Sequence, residues 1–558
     1  MINIKKKFKG RIQPIFEKKG LVDFILIIGL SIITVLPAFM GHYYNSSSDG
    51  FNHLDRFENI YEAFKSGHLP SLFNFQYAPS NSAPGAAVNG LYPWLPGLIF
   101  IIPRLIFSTP LQALAVGFLI LNAITMFNAR LLMSKLTSNR WLLWLGIILY
   151  QFNNFHLIDL FSRSDFGESF AYAWLPLIFV GLMEIHDDKK SGVWLLGLGM
   201  GMMANSHVLT LLMSFVFILV FEVIRFLTKK LTLDNFKKLI YAGIIAIFVG
   251  FYSLFNIVLI YLRAKIDEPA HYLMDVDPMT FLTSFIQNNM GEKGYWSYGL
   301  PLLIVQITLT VLIFKYWNKQ QWFGWIIAAD ILTIGIFNWW PWFKFINTPL
   351  SLIQFLQRAN LFIVMFLCIG IVLYFNKKNS LNNFKIILLE LAVCLFSLAG
   401  AYSVHATYFG PDKYHDAITN ANYTKMLTTR YSFGEFLPIS KDTGKVELKQ
   451  SKNKSVSVKE IGRKSDSIVY NVKTTKDQFV SFRTVMYDDF KYDIKLDGKK
   501  VQSKSINQVK ILVPEGTHKV SVQAESSRNA WQFTVTIITI MLAIFMIAKT
   551  YRPNVEED

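Results

Sequence analysis

Ser48-Asp49-Gly50-Phe51-Asn52-His53-Leu54-Asp55-Arg56 is the first polar stretch after the first long apolar run of the chain. If Ser48 or Asp49 caps a helix that runs to about Ser66, with Gly67 and Pro70 stopping it, then Asp49, His53 and Arg56 share an arc of about 60°. Phe51, Leu54, Phe57, Ile60, Tyr61 and Phe64 fill most of another face. Such a helix is expected to lie along a membrane surface, holding a carboxylate, an imidazole and a guanidinium at the water boundary. It reads as an active-site platform.

The surrounding sequence supports a membrane setting. The 558-residue chain is 52% hydrophobic and 15% aromatic, and apolar runs of about twenty residues recur from Leu21 to Ala548. A net charge of +17 would suggest nucleic acid in a soluble protein. Here Lys and Arg gather in short loops between apolar runs, as positive-inside bias requires, so no nucleic-acid partner is expected and membrane lipids are. The two cysteines, Cys368 and Cys394, both lie in apolar runs and offer neither a disulfide framework nor a Cys-based metal site. Lys5, Lys6, Lys7, Lys9, Arg11, Lys18 and Lys19 precede Leu21 to Met40, which is too long for a signal peptide and lacks a small-residue cleavage site; it reads as an uncleaved first span.

With the basic N-terminus (1–20) in the cytoplasm, residues 41–109 become a long external loop in which Pro93, Pro96, Pro103 and Arg104 make Leu91 to Phe107 a half-embedded segment. Spans at about 110–134, 141–157, 170–186, 192–206, 207–225 and 239–262 follow, with basic loops on the inner side. The loop from Arg263 to about Ser297 is too long for a simple connector and reads as a lid. Further spans at 298–315, 321–339, 352–375 and 384–405 complete a transmembrane domain over 21–406. Residues 407–528 alternate polar and apolar, as in Ser467-Ile468-Val469-Tyr470-Asn471-Val472, with turn signals at Asp497-Gly498 and Pro514-Glu515-Gly516. They read as an external β-sandwich-like domain, followed by a last span and cytoplasmic tail in 529–558. The fold class is thus an α-helical polytopic membrane protein of about twelve spans, both termini inside.

This topology brings charged groups to one membrane face, where ionisable residues point to function. Arg163, Asp165 and Glu168 on one external turn, His207 on the next, and Gln354 and Arg358 entering a later span join Asp49, His53 and Arg56. Each also has a plainer reading. Asp49 as an N-cap would stabilise its helix by about 1 kcal/mol; Arg163 and Glu168 could simply pair; His207 reads first as a hydrogen bonder at a helix end; Gln354 and Arg358 could be interfacial. Gly197-Leu198-Gly199-Met200-Gly201 resembles a phosphate loop, but it lies inside a span with no preceding strand, so close helix packing explains it better. Walker A, HExxH and nucleophile-elbow motifs are absent from the sequence, and no nucleotide cofactor is expected. An external carboxylate can accept a proton from an attacking hydroxyl or hold a divalent cation, and arginines can neutralise a departing phosphate. That pairing suits sugar transfer from a lipid phosphate.

The order of these features resembles the GT-C clan of integral-membrane glycosyltransferases, specifically the bacterial YfhO-like group, whose members also carry the label 6-pyruvoyl-tetrahydropterin synthase-related. The resemblance rests on Asp49, His53, Arg56 and Gly67-His68-Leu69-Pro70; on Arg163, Glu168 and Pro176; on Ser206-His207; and on Gln354-Phe355 with Arg358. Leu496-Asp497-Gly498-Lys499, Val513-Pro514-Glu515-Gly516-Thr517-His518 and the closing apolar run extend it through the tail. It implies a polyprenyl-phosphate-sugar-dependent transferase of the bacterial plasma membrane acting on a cell-envelope glycan, teichoic acid or protein. Asp49 would be the catalytic base, assisted by His53, and Arg56, Arg163 and Arg358 would bind the donor phosphate, with Asp165, Glu168, His207 and Gln354 in support. Many clan members have two adjacent acidic residues in this loop, whereas Gly50 follows Asp49 here, so the metal requirement stays open. The rival readings are a flippase or transporter for polyprenyl lipid or glycan, and a non-catalytic partner of a glycosylation system.

Overall fold

The computed structural model describes residues 18–76, 83–291, 296–316, 320–378, 382–407, 416–429, 436–440, 443–525 and 528–551. The basic N-terminus up to residue 17, the tail beyond Tyr551 and the segment 408–415 at the expected domain boundary lie outside these.

Most of the chain is helical. Among the described residues seven helices are long and apolar enough to cross a membrane: Gly20–Phe39, Pro110–Leu136, Phe166–His186, Val208–Leu227, Leu356–Lys378, Asn383–Thr407 and Ala530–Tyr551. Their outward side chains include Ile25, Leu36, Leu395 and Phe545, all well exposed, as lipid-facing helices require. An eighth candidate is broken: Leu233–Val249 and Phe251–Arg263 meet at Gly250 at an angle of 73°. Thr536 Oγ1, on the last helix, accepts the Tyr252 N–H at that break, 2.9 Å away.

Four more apolar helices are shorter: Leu95–Ile106, Ser191–Ala204, Leu300–Lys315 and Phe323–Gly335. The sequence pattern also suggested a crossing over 141–157, but the helix Arg140–Gln151 stops early. There Asn153 caps a new turn by accepting from the His156 N–H, and a π-turn follows at Ile158–Ser162. The expected start of a span at 352 also moves, because Gln354 has φ +59° and Gln354–Phe355 is extended, pairing in parallel with Leu273–Met274. The glycine run lies inside Ser191–Ala204, where a Cβ on Gly197 would meet Ile245 at 2.6 Å and one on Gly201 would meet Val249 at 2.4 Å. Those glycines let this helix press against Leu233–Val249.

The C-terminal region is β-rich. A five-stranded antiparallel sheet has the order Val456–Lys464, Ser467–Thr474, Gly516–Ala524, Tyr492–Leu496, Lys499–Lys500, and Gln478–Val485 pairs with Gln508–Val513 in a second sheet. Inward residues of both, such as Ile468, Val472, Phe482, Ile511 and Val522, form one buried cluster. That cluster also takes in Leu72, Phe73 and Phe75 from the first loop. Tyr487 fixes the junction: its hydroxyl accepts from the Ala87 N–H at 2.8 Å and donates to the Phe436 carbonyl at 2.7 Å. The β-rich region is therefore built onto the loop that carries the platform helix.

Candidate functional site

The platform helix is Ser48–Lys65, capped one residue earlier than the pattern suggested. Ser47 Oγ accepts from the Gly50 N–H, and it also donates to the Arg163 carbonyl, tying the helix to the turn 163–165. Gly50 is needed for that approach: a Cβ there would lie 2.3 Å from Ser46 Oγ and 2.7 Å from Ser164 Cβ. The helix ends where Gly67 takes φ +78°, a conformation that costs glycine little. Phe51, Leu54, Phe57 and Ile60 are buried, and so are His53 and Arg56. The helix is thus packed on both faces, not laid on a surface.

Arg163 is the hub of the site. Its Nη1 donates to Asp159 Oδ1 at 2.6 Å and to Glu168 Oε2 at 2.9 Å, and its Nη2 to Asp165 Oδ2 at 3.1 Å. Trp296 covers the guanidinium, 3.9 Å from its centroid. Arg358, on a short 3-10 turn before its helix, adds a second cation: Nε donates to Glu168 Oε2 at 3.2 Å, and Nη1 to the Ile353 carbonyl at 2.8 Å and to Gln354 Oε1 at 3.3 Å. Arg56 Nη2 donates to the Tyr92 and Pro93 carbonyls, each at 3.0 Å, and its guanidinium lies over the Tyr92 ring.

His53 is held between charges. Its Nδ1 is 3.4 Å from Arg56 Nη1, which can only donate, so the ring proton belongs on Nε2, 3.6 Å from Asp165 Oδ1. Burial pushes the His53 pKa down, and the Asp165 carboxylate counters that only in part, so the imidazole is neutral near pH 7. For Asp165 burial acts upward, but the hydrogen bond from His53 and the charge of Arg163 outweigh it and hold the carboxyl well below the usual range. Asp159 goes the other way. Burial and then the neighbouring Glu168 charge push it well above that range. Burial brings Arg56 down to about 10, still charged at neutral pH.

A cavity of about 1860 Å³ opens onto this cluster. Asp49, His53, Arg56, Arg163, Asp165, His207, Gln354 and Arg358 all line it, and Glu168 stands behind, bonded to both Arg163 and Arg358. The site residues read from the sequence are therefore brought together at one end of the bundle. His207 keeps its plainer role as well: it precedes the helix Val208–Leu227, and its Nδ1 is 2.7 Å from Thr210 Oγ1. Beyond the charged end the cavity becomes an apolar groove. Phe215, Leu219 and Val223 line one side, Phe236, Ile240 and Ile247 the other, and it reaches Glu222 and Thr232 at the far end. The 20-residue helix it follows is about 30 Å long.

Sequence reading missed Asp159, Tyr92 and Trp296. The four-residue spacing of Asp159 and Arg163 is a readable signal for a paired face; nothing local marks Tyr92 or Trp296, which arrive from other loops. Among the described residues no group of three or more His, Cys, Asp or Glu side chains is arranged to hold a metal ion.

No family model matches the chain. It is similar to an uncharacterized protein of Lactococcus lactis subsp. cremoris strain MG1363, 22% identical over 322 residues, which are 55% of this chain and 51% of that protein. The chain thus spans about half the length of the curated relative it matches.

Proposed function

We propose that this protein is a membrane glycosyltransferase of the GT-C type, moving a sugar from a polyprenyl-phosphate carrier to a cell-envelope acceptor at the outer face of a bacterial plasma membrane. In this reading both termini are cytoplasmic and the β-rich region is extracellular. The observation that carries it is the continuity of an arginine- and carboxylate-lined head pocket with an apolar groove that follows a helix about 30 Å long. An amphiphile with an anionic head and one long hydrocarbon tail fits both parts at once.

The acceptor hydroxyl attacks the anomeric carbon while its proton passes to the Asp49 carboxylate. The bond from that carbon to the phosphate oxygen breaks, and the lipid phosphate leaves with the electron pair; one direct displacement inverts the anomeric centre. His53 acts as a positioning residue, because Arg56 and Asp165 occupy both of its ring nitrogens. Arg358 is the best placed to receive the phosphate, since its Nη2 makes no hydrogen bond among the described residues and the side chain lines the cavity. Arg163 is held by three carboxylates and shapes the pocket behind it. The test is transfer of labelled sugar from synthetic undecaprenyl-phosphate sugars by the protein in lipid, comparing wild type with Asp49→Asn. Transfer by wild type and its loss in a folded Asp49→Asn variant supports the reading; equal turnover removes Asp49 from the mechanism.

A second reading, movement of the lipid between leaflets, is favoured by the reach of the groove to Glu222 and Thr232. Lipid movement in vesicles without sugar transfer would favour it.

A further inference from the structure

The segment 264–291 and the turns at 336–353 form one body over the charged end of the cavity. Val276 N–H donates to the Ile336 carbonyl at 3.1 Å, Asn338 N–H returns to Val276 at 2.9 Å, and Leu273–Met274 pairs with Gln354–Phe355. Helix Pro278–Ile286 is fixed from within by Phe281 and Phe285, whose rings pack on Tyr298 and, for Phe281, on Phe337. On the inner side Tyr272, Leu352, Gln354 and Phe355 line the cavity.

The outer side of this hood is apolar. Met279, Leu282 and Ile286 share one face of the helix at helical spacing. Met279 is 69% and Ile286 64% exposed, and on the adjoining turn Trp339 is 65% and Phe343 70% exposed. A folded protein does not leave such a surface to water without reason. The patch also continues an apolar surface: Trp340 Nε1 donates to the Ile334 carbonyl at the end of Phe323–Gly335, whose Ile327 and Ile331 are exposed in turn. Exposed aromatic residues at the end of exposed apolar helices are the mark of a membrane–water boundary.

We propose that this hood is seated in the headgroup layer of the bilayer, with Met279, Ile286, Trp339 and Phe343 turned into lipid, so that the cavity receives its amphiphile sideways from the membrane beneath the hood. The proposal concerns the route into the cavity and stands for either fate of the lipid described above.

The test uses the full chain with Cys368→Ser and Cys394→Ser and a single new cysteine, Met279→Cys or Ile286→Cys, carrying a nitroxide label in phospholipid nanodiscs. Lys473→Cys, exposed on the five-stranded sheet, is the reference. Collision with oxygen, which concentrates in lipid, is compared with collision with a water-soluble nickel chelate. Both hood labels are expected to give an oxygen-to-nickel ratio at least about threefold above the reference, as for boundary positions. A ratio equal to the reference overturns the proposal. So does shielding from both reagents, which would mean that a protein partner or a second copy covers the hood. Two independent positions keep the test decisive if one variant fails to fold.

Discussion

The Arg163 guanidinium lies over Trp296, 3.9 Å from the ring centroid, while Asp159, Asp165 and Glu168 accept its hydrogen bonds. Five donors in a planar fork can serve several carboxylates and still present a face to an aromatic ring; an ammonium cannot. Arg163→Gln is expected to cost about 3–5 kcal/mol, because it leaves buried carboxylates without their cation. Arg163→Lys should recover less than half of that. Thermal unfolding in one detergent and lipid mixture checks both values.

Asp49 has a different predicted signature. It lines the cavity in the first turn of its helix, while Ser47 provides the cap. Asp49→Asn keeps the shape of the side chain and should lower sugar transfer by about 10²–10⁴-fold, the range for loss of a general base, in a variant that still folds. A matching fall in stability would assign Asp49 a structural role.

The pH response of Asp159 follows from its raised carboxyl. The folded state keeps a proton that the unfolded chain releases above a pKa of about 3.9. This contribution to stability is complete below that value and is lost as pH rises toward the folded-state pKa. Asp159→Asn mimics the protonated form, so as pH rises above the unfolded value of about 3.9 its unfolding temperature should fall less than that of wild type. An identical slope would show that Asp159 is ionised in the folded protein.

Tyr487 joins the β-rich region to the first loop by accepting from the Ala87 N–H, while the same hydroxyl donates to the Phe436 carbonyl. Tyr487→Phe leaves the buried Ala87 N–H unsatisfied and should cost about 1–3 kcal/mol. Because that loop continues from the platform helix, cleavage by protease within residues 71–91 should quicken in the variant. No change in cleavage would separate the β-rich region from the site.

Much of this was legible in the sequence because it rests on local pattern. The stop at Gly67, the alternating strands and the close-packing glycines all follow from short-range rules, and the common end shared by Asp49, Arg163, His207 and Arg358 followed from counting apolar runs. Tertiary contacts were harder to see. The buried outer face of the platform helix depends on packing from loops far along the chain, and its cap moved to Ser47 because the Arg163 carbonyl engages that hydroxyl. The different partners of the three arginines were also out of reach: Arg163 bonds Asp159, Asp165 and Glu168, whereas Arg358 Nη2 makes no hydrogen bond among the described residues. The early end of Arg140–Gln151 was set by Asn153, whose side chain caps the next turn.

The break at Gly250 bears on the order in which the protein is made. The Tyr252 amide is satisfied by Thr536, so a helix pair threaded into the membrane early waits for a hydroxyl that lies 284 residues further along the chain. Until then an unpaired amide faces hydrocarbon or must be shielded by water or an insertion factor. Helix Ala530–Tyr551 in this sense completes the broken helix pair as well as following the β-rich region. Chains stalled before Thr536 should be recognised as unfinished by the cell's membrane quality control.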